Sequence, residues 1–129
     1  MKLLIYKDDK KSIWLDKYNK IIQDSINNPR KVKTINGVKY SLHHIYPRSY
    51  FPKLANKEEN KCYIDFHTHI KLHYFLWKHD GVKYCSQFWF CYVWYKKNYK
   101  DLLTAEEFEQ LKQDLKEYRK FKKNEGVKI

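Results

Sequence analysis

The chain has 129 residues, 43% of them hydrophobic, enough for one domain with a real core and too few for two. Twenty-seven Lys and Arg against fifteen Asp and Glu leave a formal charge of +12, a field that favours a polyanionic partner, although a lysine-rich coding bias gives the same composition. There is no run of 18 apolar residues, and Met1 to Tyr6 meets Lys7, Asp8 and Asp9 too soon for a signal peptide, so the expectation is a cytoplasmic protein with no membrane partner.

Leu3 to Tyr6 predicts a short edge strand. Ser12 then caps a helix in which Ile13, Trp14, Tyr18, Ile21, Ile22 and Ile26 recur at three- and four-residue steps, with Lys17, Lys20 and Asp24 on the wet side. Asn27, Asn28 and Pro29 end it. From Val32 to Tyr40, alternating residues flank Asn36-Gly37, a pair that tolerates the positive φ of a type I′ turn and predicts a hairpin.

That hairpin leads into a histidine-rich stretch, Tyr40 to Lys78, which holds five of the six histidines. His43 and His44 follow the run Val38, Tyr40, Leu42; Asn60 comes sixteen residues after His44, then His69, then His73. Lys61 to Ile64 is a short β-prone run, and Asp65 is a good N-cap for a helix from Phe66 that stops in Lys78, His79, Asp80 and Gly81. At i and i+4 on that helix, His69 and His73 are turned only about 40° apart and reach the same point in space. A cation between the first strand and the helix thus has three imidazoles around it. Three protein ligands with an open position is a catalytic arrangement, whereas a structural zinc site is closed by four.

Beyond Gly81, the aromatic block Tyr84 to Tyr99 is long enough for a buried helix and serves either as core packing or as a stacking surface for unpaired bases. Thr104 with Glu107 forms a capping box for a last helix, to about Lys122, striped by Phe108, Leu111, Leu115 and Tyr118. That stripe packs on its own domain or pairs two copies. Arg119 to Ile129 is basic and expected to fray. Cys62, Cys85 and Cys91, odd in number and without CxxC spacing, predict buried free thiols.

The spacing His-His, Asn, His, x3, His, with Pro47-Arg48-Ser49 soon after the pair, resembles the HNH nucleases of the ββα-metal (His-Me finger) fold, and most closely the small HNH endonucleases of phages and mobile elements. One departure is that Tyr50 to Glu59 contains no glycine, where that family often has a Gly-rich acidic turn. The resemblance implies an α+β fold: a ββα-metal core at about 38–78, an upstream β-hairpin, and flanking N- and C-terminal helices, the C-terminal extension running over about 82–122 of a single domain, 1–129. It also implies a metal-dependent DNA endonuclease acting in a bacterial or phage-infected cell, with His44 as general base, His43, His69 and His73 as ligands of one divalent ion (Zn²⁺, Ni²⁺, Mn²⁺ or Mg²⁺), Asn60 positioning the loop of His44, and Arg48 gripping a phosphate oxygen. Arg48, Lys53 and Lys71 are the candidate contacts to DNA, double-stranded and bound by a monomer or homodimer. His67, about 200° from His69, and His79 at the helix end take no part. Two other readings stay open: a catalytically silent nucleic-acid-binding module, and a small basic effector that uses its aromatic C-terminal helices as an interface.

Overall fold

The structure is a computed structural model that describes residues 4–27, 34–35, 38–99 and 101–127. It is an α+β arrangement of three helices and a small antiparallel sheet: α1 (Ile13–Asn27), β1 (Thr34–Ile35), β2 (Val38–His44), β3 (Lys61–Asp65), α2 (Phe66–Tyr99) and α3 (Ala105–Val127). The sheet order is β1-β2-β3; Ile35 pairs with Val38, and His43 faces Cys62 across the β2–β3 ladder. The Asn36-Gly37 turn lies outside the described residues. No helix among the described residues is long and apolar enough to cross a membrane.

The predicted caps form. Ser12 Oγ accepts the Leu15 amide at 3.1 Å, and Asp65 accepts both the amide (3.2 Å) and the hydroxyl (2.7 Å) of Thr68. Thr104 and Glu107 close their box reciprocally, at 3.2 and 3.1 Å. Each bond satisfies an amide that a helix start leaves without a partner.

Three expectations change. Leu4 to Tyr6 is not a strand: the Leu4 amide bonds the Glu59 carbonyl at 2.7 Å, and the Tyr6 amide and carbonyl are both held by the Asn19 side chain. A single cross-chain bond does not make a ladder. In α1 the buried stripe is Leu15, Tyr18 and Ile22, and Ile13 is 62% exposed. Finally, α3 continues through Val127 rather than stopping near Lys122.

The stop predicted at Asp80-Gly81 is a sharp kink within α2, where Asp80 (φ −139°, ψ 36°) and Gly81 (φ 39°, ψ −114°) leave the helical region. Its consequence is visible in the rings beyond it. Residues 74 and 88 would lie about 21 Å apart along a straight helix, yet the Tyr74 and Phe88 rings are 5.7 Å apart and Phe88 stacks on Trp77 at 5.3 Å. The second half of α2 therefore folds back beside the first.

Two apolar clusters result. One joins Tyr6, Leu15, Tyr18, Ile22, Ile45, Ile64, Leu72 and Leu76 beneath the sheet. The other joins Ile70, Trp77, Cys85 and Phe88 to Leu111 and Leu115 of α3, so the α3 stripe packs on its own chain. All three cysteines are free, as the sequence predicts; Cys62 and Cys85 are buried, and Cys91, expected to be buried too, is half-buried.

Candidate metal centre

The β2–β3 ladder presents Ser41 and His43 to α2, and the cap at Asp65 sets the phase in which α2 turns His69 and His73 toward them. One nitrogen from each of His43, His69 and His73 lies within 4.8 Å of the others. The Nε2 atoms of His69 and His73 are 3.1 Å apart. Two nitrogens bound to one tetrahedral ion at about 2.0–2.1 Å sit about 3.3 Å apart, so this pair is already spaced for a shared ligand.

The outward nitrogens fix the tautomers. The Tyr18 hydroxyl donates to the Ile45 carbonyl at 2.7 Å, so at His43 Nε2, also 2.7 Å away, it is the acceptor. Nε2 of His43 therefore carries the proton and Nδ1 keeps its lone pair. Ser41 plays the same part for His69: its hydroxyl donates to the Ile64 carbonyl and accepts from Nδ1 at 2.7 Å, which leaves Nε2 free to ligate. Oxygen partners of this kind orient ligand imidazoles and raise their basicity.

All three rings stay neutral at pH 7. Burial pushes His69 down to about 4 and His73 to about 3, with repulsion from His69 adding to the latter. His43, 2% exposed, is held well below the usual imidazole value, first by burial and then by His73, His69 and His44. Neutral imidazoles are the donor set for a divalent transition ion; His43 and His69 each keep a lone pair for it, and His73, whose Nε2 meets that of His69 at 3.1 Å, offers its own once its proton sits on Nδ1. The residues present therefore fit such an ion, and no fourth His, Cys, Asp or Glu among the described residues joins the group.

His44 points elsewhere. With Leu42, Pro47, Arg48, Ser49 and Gln87 it lines a cleft of about 430 Å³ whose floor is the three-histidine cluster. Its pKa is lowered, first by burial and then by the Arg48 guanidinium, against a hydrogen bond to the Ala55 carbonyl that pulls it up.

Asn60 is fully buried and does not line the cleft. Its Oδ1 accepts the Tyr46 amide at 2.7 Å, its Nδ2 donates to the Tyr46 carbonyl at 3.1 Å, and its own carbonyl accepts the Ile45 amide at 2.9 Å. It thus clamps the two residues that follow His44. Arg48 is exposed at the rim. Lys53 and Lys71 are exposed but away from the cleft, Lys71 in a separate hollow with Asp65 and Thr68. His67 is exposed, and His79 is buried between Ser12 and Asp8, at 2.5 and 2.8 Å.

Sequence reasoning missed Tyr18, Ser41 and Gln87. Ser41 carried a signal, because it lies two residues from His43 and so on the same face of its strand. Gln87 carried one as the polar break in an aromatic run; Tyr18 carried none beyond its place in an apolar stripe. The chain matches no protein-family model, no curated protein and no solved structure.

Proposed function

We propose that the chain is a metal-dependent DNA endonuclease of the HNH type, with a ββα-metal core formed by β2, β3 and the first half of α2. The observation that carries this reading is the division of labour among four histidines: His43, His69 and His73 each bring a nitrogen to within 4.8 Å of the others, and the fourth, His44, lines the same cleft without joining them. A merely structural metal site has no need of that fourth ring.

His43 through Nδ1, and His69 and His73 through Nε2, are the nitrogens that would hold the ion. When bound, a divalent ion supplies positive charge for the phosphate and for the departing oxygen. His44 takes the proton released as a water oxygen bonds to phosphorus, and the bond to the 3′ oxygen breaks to leave 5′-phosphate and 3′-hydroxyl ends. An imidazole is suited to this because it is neutral at pH 7 and basic enough to accept a proton there. Arg48 holds a non-bridging oxygen through charge-assisted hydrogen bonds. Asn60, which does not reach the cleft, fixes the loop so that His44 keeps its direction.

The test is nicking of a supercoiled plasmid with Zn²⁺, Ni²⁺, Mn²⁺ or Mg²⁺, with and without chelator. Cutting should require an ion, and His44→Ala should lower it by about 10²–10⁴-fold with metal binding retained. An intact protein that cuts under none of these ions, or a His44→Ala variant that cuts at the full rate, sinks the proposal.

A further inference from the structure

Two of the three clustered imidazoles have their outward nitrogen met by an oxygen, His43 by Tyr18 and His69 by Ser41. His73 does not: its Nδ1 is buried without a partner. The other buried side-chain atom without a partner among the described residues is Oε1 of Gln87. Buried polar atoms without partners are few in folded proteins and call for an explanation. Here both line the same cleft.

Their chemistry is complementary. With Nε2 of His73 turned toward an ion, its proton must sit on Nδ1, which then needs an acceptor. Oε1 of Gln87 can only accept. The other end of the carboxamide is anchored, Nε2 donating to Ser49 Oγ at 2.5 Å, so one oxygen is left over. The fold brings both residues to one cleft. The Gly81 kink brings Phe88 against Tyr74, and Gln87 and His73 each come one residue earlier on the facing halves of α2.

We infer that Gln87 is the positioning residue for His73: its Oε1 accepts from His73 Nδ1–H, directly or across one ordered water, when Nε2 ligates an ion. This rests on the three-histidine metal site and not on DNA cutting. It completes a set in which each ligand imidazole is held by an oxygen from a different segment: α1, β2 and the second half of α2. Because Ser49 neighbours Arg48, the same carboxamide ties the ligand to the loop that carries the arginine.

The measurement is Zn²⁺ and Co²⁺ affinity by chelator competition, on the full chain. Gln87→Ala should weaken both about 10–100-fold, as loss of an outer partner does. Gln87→Glu should bind at least as tightly as the native chain, a carboxylate being the stronger acceptor. The metal-free melting temperature should be the same for Gln87→Ala as for the native protein. In the zinc-loaded native protein, a slowly exchanging Nδ1–H resonance of His73 is expected, absent in Gln87→Ala. A Gln87→Ala affinity within about twofold of native, a Gln87→Glu chain weakened as much as Gln87→Ala, or a native chain that binds neither ion overturns the inference. A chain that shows these effects yet never nicks DNA overturns the nuclease reading and leaves this one standing.

Discussion

Asn60 has no surface of its own, yet it sets where His44 points. Its carboxamide both donates to and accepts from the Tyr46 backbone, as a neighbouring strand would, and no shorter or singly functional side chain can do both. Asn60→Ala leaves a buried amide and carbonyl unpaired and should cost about 2–4 kcal/mol. Asn60→Asp keeps the shape but sets a carboxylate against the Tyr46 carbonyl and should cost no less. Urea titration of the metal-free protein checks both, and a loss under about 1 kcal/mol for either would show that water or a rearranged loop replaces the clamp. Asn60 was legible because its distance from the histidine pair is a matter of spacing. Tyr18 was not, since a tyrosine in an apolar stripe looks like core. Only the fold shows that its hydroxyl reaches a nitrogen 25 positions on.

At the scale of an element, the cleft depends on how sharply α2 turns. Gly81, at φ 39° and ψ −114°, holds a conformation that side chains avoid. Space is not the obstacle, because a Cβ there would meet only Asp114 Oδ2, at 3.8 Å. Gly81→Ala therefore tests backbone strain alone and should destabilise by about 1–3 kcal/mol. It should also reduce metal affinity, since Gln87 reaches the cleft by way of this turn. A fully stable Gly81→Ala protein with native affinity would mean the kink is not needed. Local signals made the breaks and caps readable: Asp80-Gly81, Ser12, Asp65 and the Thr104–Glu107 box each act within a few residues. Direction was not readable. Nothing local to residues 80–81 tells a helix to return along its own face, because Trp77, Phe88, Leu111 and Leu115 settle that by packing together. Which face of β2 turns inward was also not readable: Leu42 is 39% exposed and the buried residue is His43.

For the whole molecule, the decisive electrostatic fact is that a chain of formal charge +12 keeps a neutral cluster at its centre. Ring centroids of His43, His69 and His73 are 4.8 to 5.4 Å apart, close enough that a proton on one opposes a proton on the next. In the unfolded chain these imidazoles take protons near 6.5, whereas in the fold His69 holds out to about 4 and His73 to about 3. Between those limits the unfolded state binds more protons, so the metal-free fold loses stability as pH falls from about 6.5 and is at full strength above it. The carboxylates held low, Asp8 by its bond to His79 and Glu107 by Tyr74, Thr104 and Lys78 against its burial, act in the same direction but only below the usual values of 3.8 and 4.5. The window from pH 6.5 to 5 thus belongs to the imidazoles. The loss from pH 7.5 to 5 should be about 2 kcal/mol for each of the three rings, on the order of 6 kcal/mol for the cluster, read from urea midpoints in chelator. Replacing two of the rings, His69→Leu with His73→Leu, removes two of the three groups that refuse the proton and should make the profile much shallower over that window, with His43 left, while abolishing metal binding. A double variant whose stability still falls as steeply between pH 6.5 and 5 would place the titration outside the cluster. The three rings would then have to carry protons near neutrality, and a positively charged triad is no host for a cation.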